Sequence, residues 1–206
     1  MLQPTNRADR EITETLDADI NLAEVSGAAI GAANPVPAAP IVAGAAVSST
    51  NRFPVTSTGS SVTVSQTPTI TAGAYAAGKA VGGKLTFANM AREAGGVVTL
   101  QSVTILDKAA QSAHLVLVLF DRDFTATADN AAFDPSDADL AHVVAIVPVF
   151  TSDYQEFADN AAATASNLGI VVTLNGTSLY GQMMCVGAPT YVSTSDLTVI
   201  VSGYQD

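Results

Sequence analysis

The chain has 206 residues, enough for one ordinary domain plus an appendage, and its hydrophobic share of 48% leans on alanine and contains no tryptophan. Only 13% of residues are charged, about half the usual ~25%, so a monomer would have trouble covering its surface and partial burial in an assembly is expected. A net charge of -11, from 8 Lys+Arg against 19 Asp+Glu, disfavours direct binding to nucleic acid and anionic membranes, where cations must neutralise phosphates.

Taken in order, residues 1 to 60 differ from the rest. Asn6 to Val25 is acidic, and Ile12, Leu16, Ile20 and Ala23 fall at helical spacing, which predicts a short helix against the alternative of an acidic tail. Gly27 to Val47 is almost wholly Gly, Ala, Pro and Val. Pro35, Pro37 and Pro40 oppose both a helix and a central strand, which leaves two readings, a disordered linker or an extended arm that orders across neighbouring subunits, and the arm is the expectation. Ser48 to Ser60 continues it, with Phe53 as an anchor. The domains are therefore read as an arm over 1–60 and a β-domain over 61–206. The first residues lack a positive segment followed by an apolar one, so no secretory signal is expected. No apolar run reaches ~18 residues, so neither is a membrane span.

From Ser61 the pattern alternates. Ser61 to Ser65 and Pro68 to Thr71 read as short strands. Gly78, Gly82 and Gly83 match neither a phosphate loop nor a dinucleotide fingerprint, and read as a bend before a strand over Lys84 to Phe87. Ala88 to Ala94 is a connection closed by Gly95 and Gly96. The stretch Val97 to Asp121 holds two apolar arms around Lys108 to Ser112, and predicts either a β-hairpin or two strands that cross between sheets. Asp134-Pro135 followed by Asp137 predicts a helix over Pro135 to Ala141 capped by Asp134. Ala141 to Phe150 is an apolar strand whose Pro148 suggests an edge position or a bulge near its end. Ser152 to Phe157 reads as a turn with an irregular stretch or short strand. Three strands end the chain, Leu168 to Leu174, Leu179 to Val186 and Leu197 to Gly203, with Asn175-Gly176 as a hairpin signal. Eight to ten strands and one helix give an all-β fold, an antiparallel β-sandwich of jelly-roll type.

Chemistry is sparse. His114 and His142 start strands with no HExxH, CxxC or GxSxG motif near them, and read as structural. The one cysteine, Cys185, sits in an apolar run without a basic neighbour and reads as buried and inert, as suits a reducing cytoplasm. Asp121, Asp123, Asp129, Asp134, Asp137 and Asp139 are the only metal candidate. They lack the glycine and bidentate glutamate of a calcium loop, so helix capping and a solvated acidic loop are the expectation. Tyr75, Tyr154, Tyr180, Tyr191 and Tyr204, without tryptophan, give little to a carbohydrate platform. No catalytic, cofactor-binding or metal residues are assigned, and the chain is read as not an enzyme.

The runs YAAGKAVGGKLTFANMAREAGGVVTLQSVTILDKA, LVLVLFDRDFTATADNAAFDPSDADLAHV and PTYVSTSDLTVIVSGYQD resemble a group of tailed-bacteriophage virion structural and capsid decoration (cement) proteins. The resemblance covers about residues 75–206. It implies a phage particle as the setting and the major capsid protein as partner, and carries no site residues. The expected role is a cement protein on the capsid exterior, made in the bacterial cytoplasm, self-associating as a trimer and gripping neighbours with its arm. The alternatives are a receptor- or glycan-binding module on a head fibre or tail and, more remotely, a glycan hydrolase needing two carboxylates across a cleft.

Overall fold

The computed structural model describes residues 60–206 and, before them, the short antiparallel pairing of β1 (Ile41–Val42) with β2 (Ala45–Ala46). The predicted helix over Asn6 to Val25, the remainder of the arm and the Phe53 anchor lie outside the described residues. Contacts divide the chain into units 1–56 and 57–206. The second unit is the β-domain.

The domain holds nine strands: β3 (Ser60–Gln66), β4 (Ala80–Phe87), β5 (Val97–Asp107), β6 (Leu115–Phe120), β7 (Val143–Val149), β8 (Tyr154–Glu156), β9 (Ala161–Thr173), β10 (Leu179–Cys185) and β11 (Leu197–Gln205). One sheet has the order β4-β10-β6-β7, the other β3-β11-β5-β9-β8, and every pairing is antiparallel. Set β8 aside and the pairs nest: β3 with β11, β4 with β10, β5 with β9, β6 with β7. First pairs with last and second with second-last, which is one long hairpin rolled over two sheets, a jelly roll.

The core lies between the sheets. Leu115, Leu117 and Leu119 of β6 face Val98, Leu100, Val103 and Ile105 of β5 and Val199 and Val201 of β11 in one buried cluster. The alternation of β5 and β11 places Val98, Leu100, Val103, Ile105, Val199 and Val201 inward and their Thr and Ser outward, with the apolar Leu106 and Ile200 sharing the outer face. Strand β6 does not alternate, because it is buried on both faces. Its outer residues Val116, Val118 and Phe120 lie under the following loop, with Phe124 stacked on Phe120 at 3.9 Å between ring centroids.

Several local expectations are corrected. Val97 to Asp121 is not a hairpin: β5 and β6 belong to different sheets, so the second reading of that stretch is the one observed. Asn175-Gly176 is likewise a crossing from β9 to β10 between sheets, not a hairpin. Gly176 is not among the positive-φ residues, and the Asn175 amide donates to the carbonyl of Asp121 rather than closing a two-residue turn. Pro68 to Thr71 is not a strand. Strand β4 starts at Ala80, not Lys84, and the register shift opposite Gly181 and Met183 makes Gly82-Gly83 a bulge inside it. Gly82 has φ +73, and a Cβ there would lie 2.6 Å from Pro68 Cβ, so both backbone shape and space demand glycine. The helix, α1 (Asp137–Leu140), is shorter than expected and is capped by Ser136, whose hydroxyl accepts from the Asp139 amide, not by Asp134. A single 3₁₀ turn (Thr151–Asp153) precedes β8. Pro148 does sit on an edge strand, β7.

Candidate functional site: a charge-free sheet face

The five-stranded sheet presents an outer face without a charged side chain on its strands. Cross-strand partners run Ser61, Tyr204, Thr99 and Val171 in one row; Thr63, Ser202, Ser102 and Ser166 in the next; then Ser65, Ile200, Thr104 and Thr164. A fourth row joins Thr198, Leu106, Ala162 and Gln155. The register shift between Ser202 and Gly203 keeps the rows aligned past a bulge. Gly203 is required there, since its Cβ would meet the Thr99 carbonyl oxygen at 2.6 Å. The hydroxyls bond one another across strands: Thr63 Oγ1 to Ser202 Oγ at 3.0 Å, Thr67 Oγ1 to Thr198 Oγ1 at 3.0 Å, and Thr104 Oγ1 to Thr164 Oγ1 at 2.9 Å. Such pairs satisfy polar groups locally, so the face can be covered without stranding a charge.

The acidic residues lie elsewhere, and the structure separates those the sequence grouped. Asp129 is a structural hub. Its carboxylate accepts from Thr71 Oγ1 at 2.5 Å, Tyr75 Oη at 2.6 Å and the Gly82 amide at 2.6 Å. Asp121 accepts two bonds from the guanidinium of neighbouring Arg122 and lies 3.6 Å from His142 Nδ1. Asp123 pairs with Lys84, which holds its carboxyl below the usual range. Asp134, Asp137 and Asp139 line an open groove of about 500 Å³ with Thr125, Thr127 and Ser136. Among the described residues, no three His, Cys, Asp or Glu side chains are grouped to hold a metal ion.

The other candidates are dispersed. His114 packs its ring on Phe150 at 4.7 Å, with Nε2 buried and without a hydrogen-bond partner. Cys185 is fully buried, and its thiol donates to the Ala76 carbonyl at 3.0 Å. Burial pushes that thiol up, away from the thiolate that reactivity needs. Gly78 and Gly82 shape the backbone around β4 and cradle no anion-binding helix start.

Two organising polar residues gave no signal in the sequence. Gln182 is fully buried in an apolar run, yet it accepts from the Thr127 amide and donates to the carbonyls of Gly82 and Thr127. Asp107 is 1% exposed and accepts from the amides of Ala109 and Ser112, which holds the connector between sheets with Ala110 and Ser112 at positive φ. Burial raises its pKa, and the amide donors oppose that shift.

Three tyrosines make the domain sensitive to alkali. Burial, then the hydrogen bond to Asp129, pushes Tyr75 up to about 12. Burial first, and then the field of Asp107, raises Tyr154 and Tyr191 further. A folded pKa above the ordinary ~10 means that the stabilising preference for the neutral phenol is complete below pH ~10 and is lost as pH rises through the folded value. Thermal melts with tyrosinate absorbance should show stability dropping between about pH 10 and 12, with buried tyrosines ionising only on unfolding. Ionisation of all the tyrosines near pH ~10 in a folded domain would contradict this.

At one end of the sandwich the connections β5–β6, β7–β9 and β10–β11 meet. The Val186 amide donates to the His114 carbonyl, the Lys108 amide to the Asp196 carbonyl, and Ser112 Oγ bonds Glu156 at 3.0 Å. Phe150, Phe157, Val186 and Val192, 42–80% exposed, all belong to these connections. Strand β3, where the residues preceding the domain join it, starts at the opposite end.

No family model matches the chain, and a search of curated proteins also finds no match. Among the described residues, no helix is long and apolar enough to cross a membrane.

Proposed function

We propose that the chain is a non-enzymatic structural protein of a tailed-phage virion, a decoration or cement protein that binds the assembled major capsid shell. The observation that carries this reading is the charge-free, hydroxyl-paired outer face on a chain whose net charge is -11. A protein so short of charge gains by covering such a face, and a jelly roll supplies it on a rigid sheet. The running resemblance over residues 75–206 supplies the setting. In this reading the domain lies over a junction between capsid subunits on the particle exterior, and residues 1–60 reach a neighbour by strand addition or packing. Copies associate on the shell, with closed threefold symmetry there as the reading from composition. Neither nucleic acid nor membrane is a partner. The chain is made in the host cytoplasm before it joins the virion. Binding only to the assembled shell stabilises that shell by mass action. Purified protein added to capsids lacking it should bind to saturation and raise their melting temperature; an unchanged melting temperature at saturation would remove the cement role.

The exposed Phe150, Phe157, Val186 and Val192 at one end favour a second reading, a receptor- or glycan-binding module on a head fibre or tail. Under it, Phe150→Ala with Phe157→Ala abolishes binding to host cells while the domain stays folded.

A further inference from the structure

The two sheets have four edges, and three are guarded. On β4 the Ala80 amide donates to the Ala131 carbonyl, the Asn130 amide to the Ala80 carbonyl, and Asp129 takes the Gly82 amide, so the loop after β6 covers the start of that edge. Strand β7 carries Pro148 and pairs with β6 across a register shift. Strand β8 has three residues, one of them Glu156, and lies between Asp153 and Asp159. Loop cover, proline, bulges, shortness and charge are the devices by which proteins prevent edge-to-edge pairing.

Among the described residues, the fourth edge, β3, has none of them. Its seven residues, Ser60–Gln66, contain neither proline nor charge, and their register with β11 is unbroken. Among the described residues no strand pairs with its other side. Val62 and Val64 point into the core but are only half-buried, as expected where a further strand is missing.

We infer that the free edge of β3 pairs with β3 of a second copy, antiparallel about a two-fold axis, joining two five-stranded sheets into one. Three features select this occupant. The strand and the outer face it continues are uncharged, so two chains of net charge -11 meet there without opposing like charges. The acidic run from Asp121 to Asp139 follows β6 and covers the other sheet. Self-pairing also extends the observed pattern of hydroxyl opposite hydroxyl, with Ser61, Thr63 and Ser65 facing their own kind. An antiparallel contact between identical strands is isologous and closes at two copies, so it is a different contact from a threefold ring. It does not depend on the capsid reading.

The test is sedimentation velocity on the full chain and two triple variants, Ser61→Lys/Thr63→Lys/Ser65→Lys and Ser61→Glu/Thr63→Glu/Ser65→Glu. All three positions are exposed, so the fold is retained, which circular dichroism checks. The unaltered chain should sediment as a dimer. Each variant alone should lose it, since like charges then face each other in any register. Mixing the two variants should restore a dimer of twice the chain mass. A monomeric unaltered chain, an assembly indifferent to both variants, or a mixture that stays monomeric would each overturn the inference.

Discussion

Phe124→Ala is expected to destabilise the domain by about 3–5 kcal/mol, the range for removing a buried aromatic ring from a packed site. Phe124 is 6% exposed and stacks on Phe120 at an interplanar angle of 16°. It is the main apolar anchor of the loop that covers Val116, Val118 and Phe120 on the outer side of β6. Its loss removes the ring's own burial and uncovers an apolar strip along a central strand. Denaturant unfolding should show the loss, and an apolar dye should bind the native variant more than the parent. A change below about 1 kcal/mol, the size of an ordinary surface substitution or little more, would mean that the loop is not held by this ring.

Asp129→Ala comes next, with an expected loss of about 3 kcal/mol. Hydrogen bonds to a charged group contribute roughly 1.5–3 kcal/mol each, and they are not additive. Two donors to Asp129, Thr71 and Tyr75, come from the segment after β3 and the third, the Gly82 amide, from the bulge of β4, so one carboxylate in the loop after β6 ties that loop to two other parts of the chain. The variant leaves the Tyr75 hydroxyl, on a side chain 3% exposed, without its acceptor. Tyr75→Phe should therefore be less damaging in the Asp129→Ala background than in the parent. Denaturation of the two single variants and the double variant measures that coupling, expected between about 0.5 and 3 kcal/mol. Strict additivity would show that the short contact contributes nothing.

These residues show where sequence reading reaches and where it stops. The all-β class, the core strands and the edge position of β7 were legible, because period-two alternation and Pro148 are local signals. Strand partners were not. Asn175-Gly176 has the composition of a hairpin turn, but Leu174 and Asn175 bond to Gly96 and Asp121, and their flanking strands go to opposite sheets. The apolar run of β6 hid its role for a similar reason: a strand covered on both faces has no alternation to read. The first half of β9, rich in alanine, has weak strand propensity and was missed, although Ala161 and Ala163 are buried against β5. Asp129 and Gln182 were invisible as hubs because most of their partners lie 47 to 100 residues away. The charge-free face was half legible. Composition told of scarce charge, and only the register placed the hydroxyl residues of β3, β11, β5 and β9 side by side.

The measurement closest to the central claim is co-sedimentation with capsids that lack the protein, using the full chain and the fragment 57–206 in parallel. The fragment keeps all of β3, which begins at Ser60, and matches the compact unit of the domain. Saturable binding by the full chain, lost in a fragment that still folds, is the result expected of a cement protein held by its amino-terminal residues. Equal binding by the fragment would remove the arm from the mechanism. Failure of both to bind would contradict the capsid assignment itself.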